Sequence, residues 1–427
     1  MSAPVHAEDL IQVFTLARNH DASIQAANSQ SLAASTRQAQ ARGALLPNLS
    51  LVRAATRDRY EPNGDSDTAG VTTETRTNRL GLNLRQSLFN AGLYTDVQLA
   101  KVAGQSAQLD YDIALQDFIL QVAQAYFNVL STTEVLETRR LSKQAIASQL
   151  DAAIRRFKAG LGVITDEEEA QARHDLAEAD EIAAENDVRA ARLALDRLTG
   201  QPGIQPKPIA GGSALSMISP GKIDDWLRAT ATHPTVIRAQ LALERARLDT
   251  RRSRQAYLPT IDLVGSISKN RVGGTVSPLS SLPTGRSTTS SIGVEMNIPL
   301  FSGGTQYYRV AETVHLEDAA RSSFDAVTRT AEETTERTYF DLQSALAKAR
   351  ALAAAEVSSQ RSLDGTQRGY KAGLRLNLDV LNAQSQLYQT RSDLARTRYD
   401  VLMRSLRLKA AAGKLDAGSL DEINRLL

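Results

Sequence analysis

The chain of 427 residues contains no cysteine. That excludes a disulfide framework and, on the chain as given, lipid attachment through Cys. It fits an oxidising compartment without disulfides, or simple chance. Proline is scarce in two places: none lies between Pro62 and Pro202, and none follows Pro299. Proline breaks helices, so both stretches are free to hold long ones. Aromatics are 5% and hydrophobic residues 42%, much of that share Ala, which suits closely packed helices better than a thick core. A run of about 18 apolar residues is missing, which excludes a membrane-spanning helix but not membrane strands, which are short and alternate in polarity. Neither charge dominates, with 50 Lys plus Arg against 48 Asp plus Glu, so no basic face for nucleic acid is implied. HExxH, GxxxxGK[ST] and GxSxG are all absent. His6, His20, His174, His233 and His315 are scattered without ligand spacing. No enzyme, metal or cofactor is implied.

What is present occurs twice. GALLPNLSL at 43–51 returns as QAYLPTIDL at 255–263, and GLNLRQSLFNAG at 81–92 returns as GVEMNIPLFSGG at 293–304. Tyr126-Phe127 returns as Tyr339-Phe340, FKAGL at 157–161 as YKAGL at 370–374, Asp166 as Asp379, and Gly200 as Gly413. The offsets, 212 and then 213, are too long for a solenoid and mark a duplicated half-protein. The first half is expected over 1–200 and the second over 221–413. A proline-rich linker fills 201–220, and a C-terminal segment 414–427.

Each half reads as a short helix, two strands and a long helical hairpin. The short amphipathic helices fall at about 8–42 and 221–254. Strands are expected at 45–61, 72–91, 257–272 and 287–303, because Leu80, Leu82, Leu84, then Ile261, Leu263, Ile267, then Ile292, Val294, Met296 alternate with polar residues. Gly, Ser and Asp fill the connections between them, which read as loops. The hairpins span 93–199 and 305–412 and reverse near Gly160 and Gly373. The first long helix, of about 65 residues, would be roughly 100 Å long, so it must pack along other rods. Thr165 or Asp166 suits the N-cap of the returning helix, and Gly200 its end. Val5-His6-Ala7 before Glu8 reads equally as the tail of a signal-peptidase site or as a plain N-terminus.

Four amphipathic strands cannot close a barrel, and bare strand edges are forbidden in a bilayer. Helices this long do not serve as a lid over a soluble sheet. The consistent solution is a mixed α+β membrane protein in which several chains complete one wall. Three chains would give a 12-stranded transmembrane β-barrel, four strands per chain, continuing into a long α-helical coiled-coil barrel. The apolar strand faces would meet lipid, and Asn83, Arg85, Asp262 and Glu295 would line a wet lumen.

The order LLP, strand, LFxxG, long helix, AYFNVL, FxxGL, TD, present twice from Asp9 to about Leu415, resembles the TolC family of outer-membrane efflux proteins. The resemblance implies a homotrimeric channel-tunnel in the outer membrane of a Gram-negative bacterium, extending into the periplasm. It implies a periplasmic adaptor, an inner-membrane ABC or proton-driven transporter and outer-membrane lipid as partners, with multidrug efflux or type I secretion as the task. The runner-up is a structural coiled-coil protein, a periplasmic adaptor or a cytoplasmic scaffold, which would be soluble; an adaptor would carry one hairpin and not two, each preceded by a strand pair.

By the same resemblance Gly160, Leu161, Gly373 and Leu374 form tips that receive the adaptor. Gly also serves the turn itself there. Asp166, Tyr370 and Arg375 match a set of polar links that hold a periplasmic gate shut, although Asp166 also suits an N-cap and Arg375 a solvated loop. Asp379 matches one acidic ring at the constriction. Asn382 stands where the family has a second acid, so weaker cation selectivity and weaker multivalent-cation block are expected.

Overall fold

A computed structural model describes residues 8–61, 73–208, 218–275 and 285–425. Residues 1–7, about which two readings stood, lie outside these, as do 62–72, 209–217 and 276–284. In chain order the elements are α1 (Leu10–His20), α2 (Ala22–Gly43), β1 (Asn48–Tyr60), β2 (Thr73–Phe89), α3 (Ala91–Lys158) and α4 (Ile164–Thr199). Then follow α5 (Ile223–Thr230), α6 (Pro234–Gln255), β3 (Thr260–Thr275), β4 (Gly285–Asn297), α7 (Thr305–Lys371), α8 (Asn377–Ala411) and α9 (Ala417–Asn424). Among the described residues no helix is long and apolar enough to cross a membrane.

The chain divides into two compact units. One holds Gln30–Gln108 and Ala239–Phe324, the other Met1–Ser29, Leu109–Arg238 and Asp325–Leu427.

The first unit carries the sheet. Its strands run in the order β1-β2-β3-β4, each antiparallel to the next. The register places Leu49, Leu84, Gly265 and Ile292 in one row and Leu51, Leu82, Ile267 and Ser290 in the next. Side chains alternate across a strand, so these rows share a face. That face is apolar yet open, with Leu51 70% and Ile292 79% exposed. The opposite face is polar: Arg85 Nη2 donates to Asp262 Oδ2 at 2.7 Å, and the Ser266 and Ser291 hydroxyls meet at 2.8 Å.

Strand bounds differ from the expected ones: β1 covers 48–60 of the expected 45–61, β2 ends at Phe89 and not at 91, β3 runs to Thr275 and not to 272, and β4 starts at Gly285 but ends early. The expected 287–303 stops at Asn297, because Pro299 has no N–H for a ladder and Gly303 and Gly304 take φ of +62° and +79°. Helix pairs in this unit are held by Arg252 on Asp96 and by the Thr250 hydroxyl on the Thr313 carbonyl at 3.1 Å.

Among its described residues the second unit carries helices and one isolated bridge, with no strand. Its core gathers Leu10, Phe118, Tyr126, Phe127, Leu195, Leu402 and Leu406. Burying each such side chain stabilises by about 1.5–3 kcal/mol. Tyr126 is the hub. Its hydroxyl accepts from the Lys207 amide at 3.0 Å and donates to the Glu8 carbonyl at 3.2 Å, clasping the parallel bridge between Glu8 and Pro206. Burial pushes the Tyr126 phenol far above its usual range, so it stays a donor at every working pH. Trp226 is a packing residue here: its indole N–H donates to the Pro220 carbonyl, and Lys414 lies over its ring at 5.1 Å.

Each expected short helix is broken in two. The 8–42 segment interrupts at Asp21, whose backbone is extended and whose carboxylate accepts from the Ser23 amide at 2.8 Å and the Ile24 amide at 3.2 Å, capping α2. The Ser23 hydroxyl bond holds the Asp21 carboxyl below its ordinary value. The 221–254 segment interrupts at 231–233, and Pro234 opens α6, where its missing N–H costs nothing.

Two glycines with φ of +70° stop α4 and α8, and each lies against a histidine. A Cβ on Gly200 would fall 2.5 Å from the His20 ring, and one on Gly413 would fall 2.8 Å from the His233 Cα. The His233 ring has fixed roles. The Ala410 carbonyl can only accept, so Nε2 (3.1 Å away) carries the proton, and Nδ1 accepts from the Thr235 amide at 3.0 Å. Burial holds its pKa below the ordinary 6.5. The folded state therefore favours neutral His233. Its stabilisation is complete above about pH 6.5 and is lost as pH falls from there through the depressed value. Thermal melts at descending pH should show that loss, and His233→Gln should flatten it. An unchanged slope in the variant would assign the acid sensitivity elsewhere.

Candidate functional site

The two hairpin tips are built by the same cap. At the end of α3, Gly160 takes φ of +71°, its amide bonds the Phe157 carbonyl at 2.9 Å, and the Leu161 amide bonds the Arg156 carbonyl at 2.9 Å. At the end of α7, Gly373 takes φ of +75°, bonding Tyr370 at 3.0 Å, and Leu374 bonds Gly369 at 2.8 Å. This is the Schellman arrangement, in which glycine supplies the left-handed residue and a hydrophobe follows it. Here that hydrophobe stays largely open: Leu161 is 73% and Leu374 81% exposed.

The N-cap reading of Thr165 or Asp166 needs correction, since both lie inside the first turn of α4. Val163, with extended backbone, is the cap of α4, and Asp166 stands in the first turn with its amide on the Val163 carbonyl at 3.2 Å. Asp166 still suits the helix dipole there. Asp379 holds the equivalent place in α8, and its carboxylate accepts from the Leu376 amide at 3.2 Å.

The candidate link residues do not all meet within one chain. Arg375, in the turn before α8, lies 3.9 Å from Asp379 in the first turn of that helix and is well exposed. Among the described residues no ion pair joins it to Asp166. Tyr370 packs with Leu363, Val380 and Leu387, and the Arg156 guanidinium sits over its ring at 5.0 Å. Asn382 is exposed and accepts from Arg173 of α4 at 3.1 Å.

Asn377, its partner Gln149 and Gly369 escaped the sequence reading. Asn377, 1% exposed, opens α8. Its amide nitrogen donates to the Asp166 carbonyl at 3.2 Å, and its oxygen accepts from Gln149 of α3. One amide thus ties three helices beside a shared core of Ile146, Leu150, Ala170 and Leu381. Gly369 is the third: a Cβ there would lie 2.9 Å from the Arg375 Cγ, so its bareness makes room for that stem. Asn377→Ala should leave the Gln149 side-chain amide without this acceptor and remove the second bond on the Asp166 carbonyl, at a cost of about 1–3 kcal/mol. Hydrogen exchange in the first turn of α8 should then rise by roughly tenfold or more; unchanged protection would mean that the amide holds nothing.

Above the tips, α3 and α4 are laced by Arg140 on Glu181 and Glu185 (3.2 and 2.8 Å) and by Lys143 on Glu181. The Lys143 contact holds Glu181 below the usual carboxylate range. His174, Asp175 and Glu178 bring one ligand atom each within 4.8 Å of one another on α4. They stand on an open helix face, and Gln171 already donates to Asp175 at 2.7 Å, so the group is read as solvated.

Known proteins share this architecture and sequence. The chain is 29% identical over 433 residues to the outer membrane protein TolC of Escherichia coli, covering 99% of this chain and 85% of that one. It is 28% identical to the alkaline protease secretion protein AprF of Pseudomonas aeruginosa, covering 96% and 86%. The crystal structure of the outer membrane protein VceC from Vibrio cholerae superposes with a TM-score of 0.79 at 19% identity, covering 95% and 96%, which speaks to the fold. The family model for outer membrane efflux proteins matches residues 13–201 and 228–414, and the chain belongs to that family.

Proposed function

We propose that this protein is the passive outer-membrane exit duct of a tripartite efflux or type I secretion system. Three copies enclose the duct, each supplying four strands to a 12-stranded barrel and its helical hairpins to a periplasmic tunnel. The observation that carries this reading is the sheet. Four strands expose an apolar face, and β1 and β4 each keep an outer edge unpaired among the described residues. In hydrocarbon such edges are untenable, and another copy of the same chain closes them with an antiparallel ladder.

The proposed division into 1–200, 221–413 and the segments 201–220 and 414–427 has support in the equivalent tip caps and in the matched Gly200–His20 and Gly413–His233 contacts. The exposed Leu161 and Leu374 offer the apolar contacts that an adaptor's hairpins would cover. Asp166, Tyr370, Arg375, Asp379 and Asn382 belong to the gate in this reading, with links made between neighbouring copies as well as within one. An inner-membrane ABC or proton-driven transporter supplies the energy.

Extraction of the full chain from outer membranes should require detergent and yield a trimer that conducts ions in a planar bilayer. Recovery as a buffer-soluble monomer or dimer without conductance would overturn the assignment.

A further inference from the structure

The outward, apolar face of the sheet changes character toward the hairpin ends, away from the helices. Beyond Leu51, Leu82 and Ile267 the next row on that face reads Arg53, Leu80, Lys269, Thr288. The row after it reads Ala55, Asn78, Arg271, Arg286, and a third reads Arg57, Arg76, Gly273. Same-face rows are two residues apart, about 7 Å along a strand. Six cations therefore crowd the first few turns of pleat above the apolar band, all of them exposed.

Their compensation is incomplete. Glu74 engages both Arg57 and Arg76, the latter at 3.3 Å. Arg271 and Arg286, however, sit directly opposite each other across the β3–β4 ladder. Like charges at that spacing destabilise a sheet. Among the described residues no carboxylate pairs with Arg53, Lys269, Arg271 or Arg286. These four exposed cations are open to a counter-charge from outside the strands.

We infer that this basic belt binds the phosphate groups of a phosphorylated lipid in the outer leaflet, with Arg271 and Arg286 gripping one phosphate between them. The inference rests on the reading of this sheet as a lipid-facing wall. Position argues for lipid over a soluble anion: the belt continues an apolar surface, so a ligand with acyl chains fills both at once. Chemistry argues for phosphate, because guanidinium forks match its oxygens and basic groups near a membrane attract anionic headgroups.

The test uses the full chain purified in detergent and reconstituted into vesicles. Phosphatidylcholine alone is compared with phosphatidylcholine containing a minor fraction of a bisphosphorylated glycolipid, and lipid retained on the re-extracted protein is counted by native mass spectrometry. Retention of the glycolipid well above its share in the vesicle is expected. Each basic group near an anionic surface is worth about a factor of five, so Arg271→Gln with Arg286→Gln should lose about twenty-five-fold. Arg79→Gln, on the opposite face by register, should lose nothing. Equal retention by wild type and double variant, or displacement of the glycolipid by an equal concentration of inorganic pyrophosphate, would overturn the inference. Failure to insert into phosphatidylcholine at all would instead bring down the lipid-facing wall itself.

Discussion

Asn382→Asp alone is expected to leave trivalent-cation block nearly unchanged, whereas Asn382→Asp with Arg173→Gln should deepen it at least tenfold. Arg173 already donates to the Asn382 oxygen at 3.1 Å. A carboxylate placed there meets a guanidinium poised to pair with it, and the new charge is largely cancelled. Removing Arg173 at the same time frees it. In the proposed trimer the double variant carries three bare carboxylates beside the three of Asp379. A tenfold change corresponds to about 1.4 kcal/mol, modest for added charges converging on one trivalent ion.

Single-channel recording across a planar bilayer, with a trivalent cation on the tip side, reads the result. Asp379→Asn should reduce the wild-type block while leaving an oxygen to accept the Leu376 amide, which separates ring charge from helix capping. Block that is indifferent to all of these changes would remove residues 379 and 382 from the constriction.

Gly413→Ala should be among the most damaging single-methyl additions in the chain, and worse than Gly200→Ala. Both glycines sit at φ of +70°, where an L side chain costs about 1–2 kcal/mol. The difference is what the methyl meets. At Gly200 it strikes the ring of His20, which can swing aside. At Gly413 it strikes the His233 Cα at 2.8 Å and the Pro234 Cδ at 3.3 Å, a backbone corner that opens α6 and that the His233 ring bonds already fix. Overpacking adds about 1–3 kcal/mol. A total of about 3 kcal/mol or more is expected for Gly413→Ala, and about half that for Gly200→Ala. Thermal unfolding of the detergent-purified protein would order the two, and equal melting temperatures would contradict the contact argument.

The legible part of this molecule is whatever obeys a short period. Ile261, Leu263 and Ile267 announce β3 because side chains in a strand alternate at every second residue, and the silence of proline between Pro62 and Pro202 leaves room for α3 and α4. The breaks at Asp21 and before Pro234 were harder, since an amphipathic pattern runs through both and only cap chemistry interrupts it. Within the site the glycine turns could be read, because their φ demand is local. The Asn377 clasp and the Arg173–Asn382 contact could not: their partners lie 211, 228 and 209 residues apart. A buried Asn at a helix start reads in sequence like any exposed one.

The two outer strands of the sheet, thirteen residues each, hold a consequence for biogenesis. A newly exported monomer presents two rows of unsatisfied amides and carbonyls flanking a greasy patch, the surface that invites indiscriminate aggregation. In the proposed trimer, closure of the ring pairs both edges, so the hazard lasts as long as a chain waits for its siblings. Biogenesis should therefore be steeply dependent on chain concentration, and any holding chaperone should grip β1 and β4 in preference to the shielded strands between them.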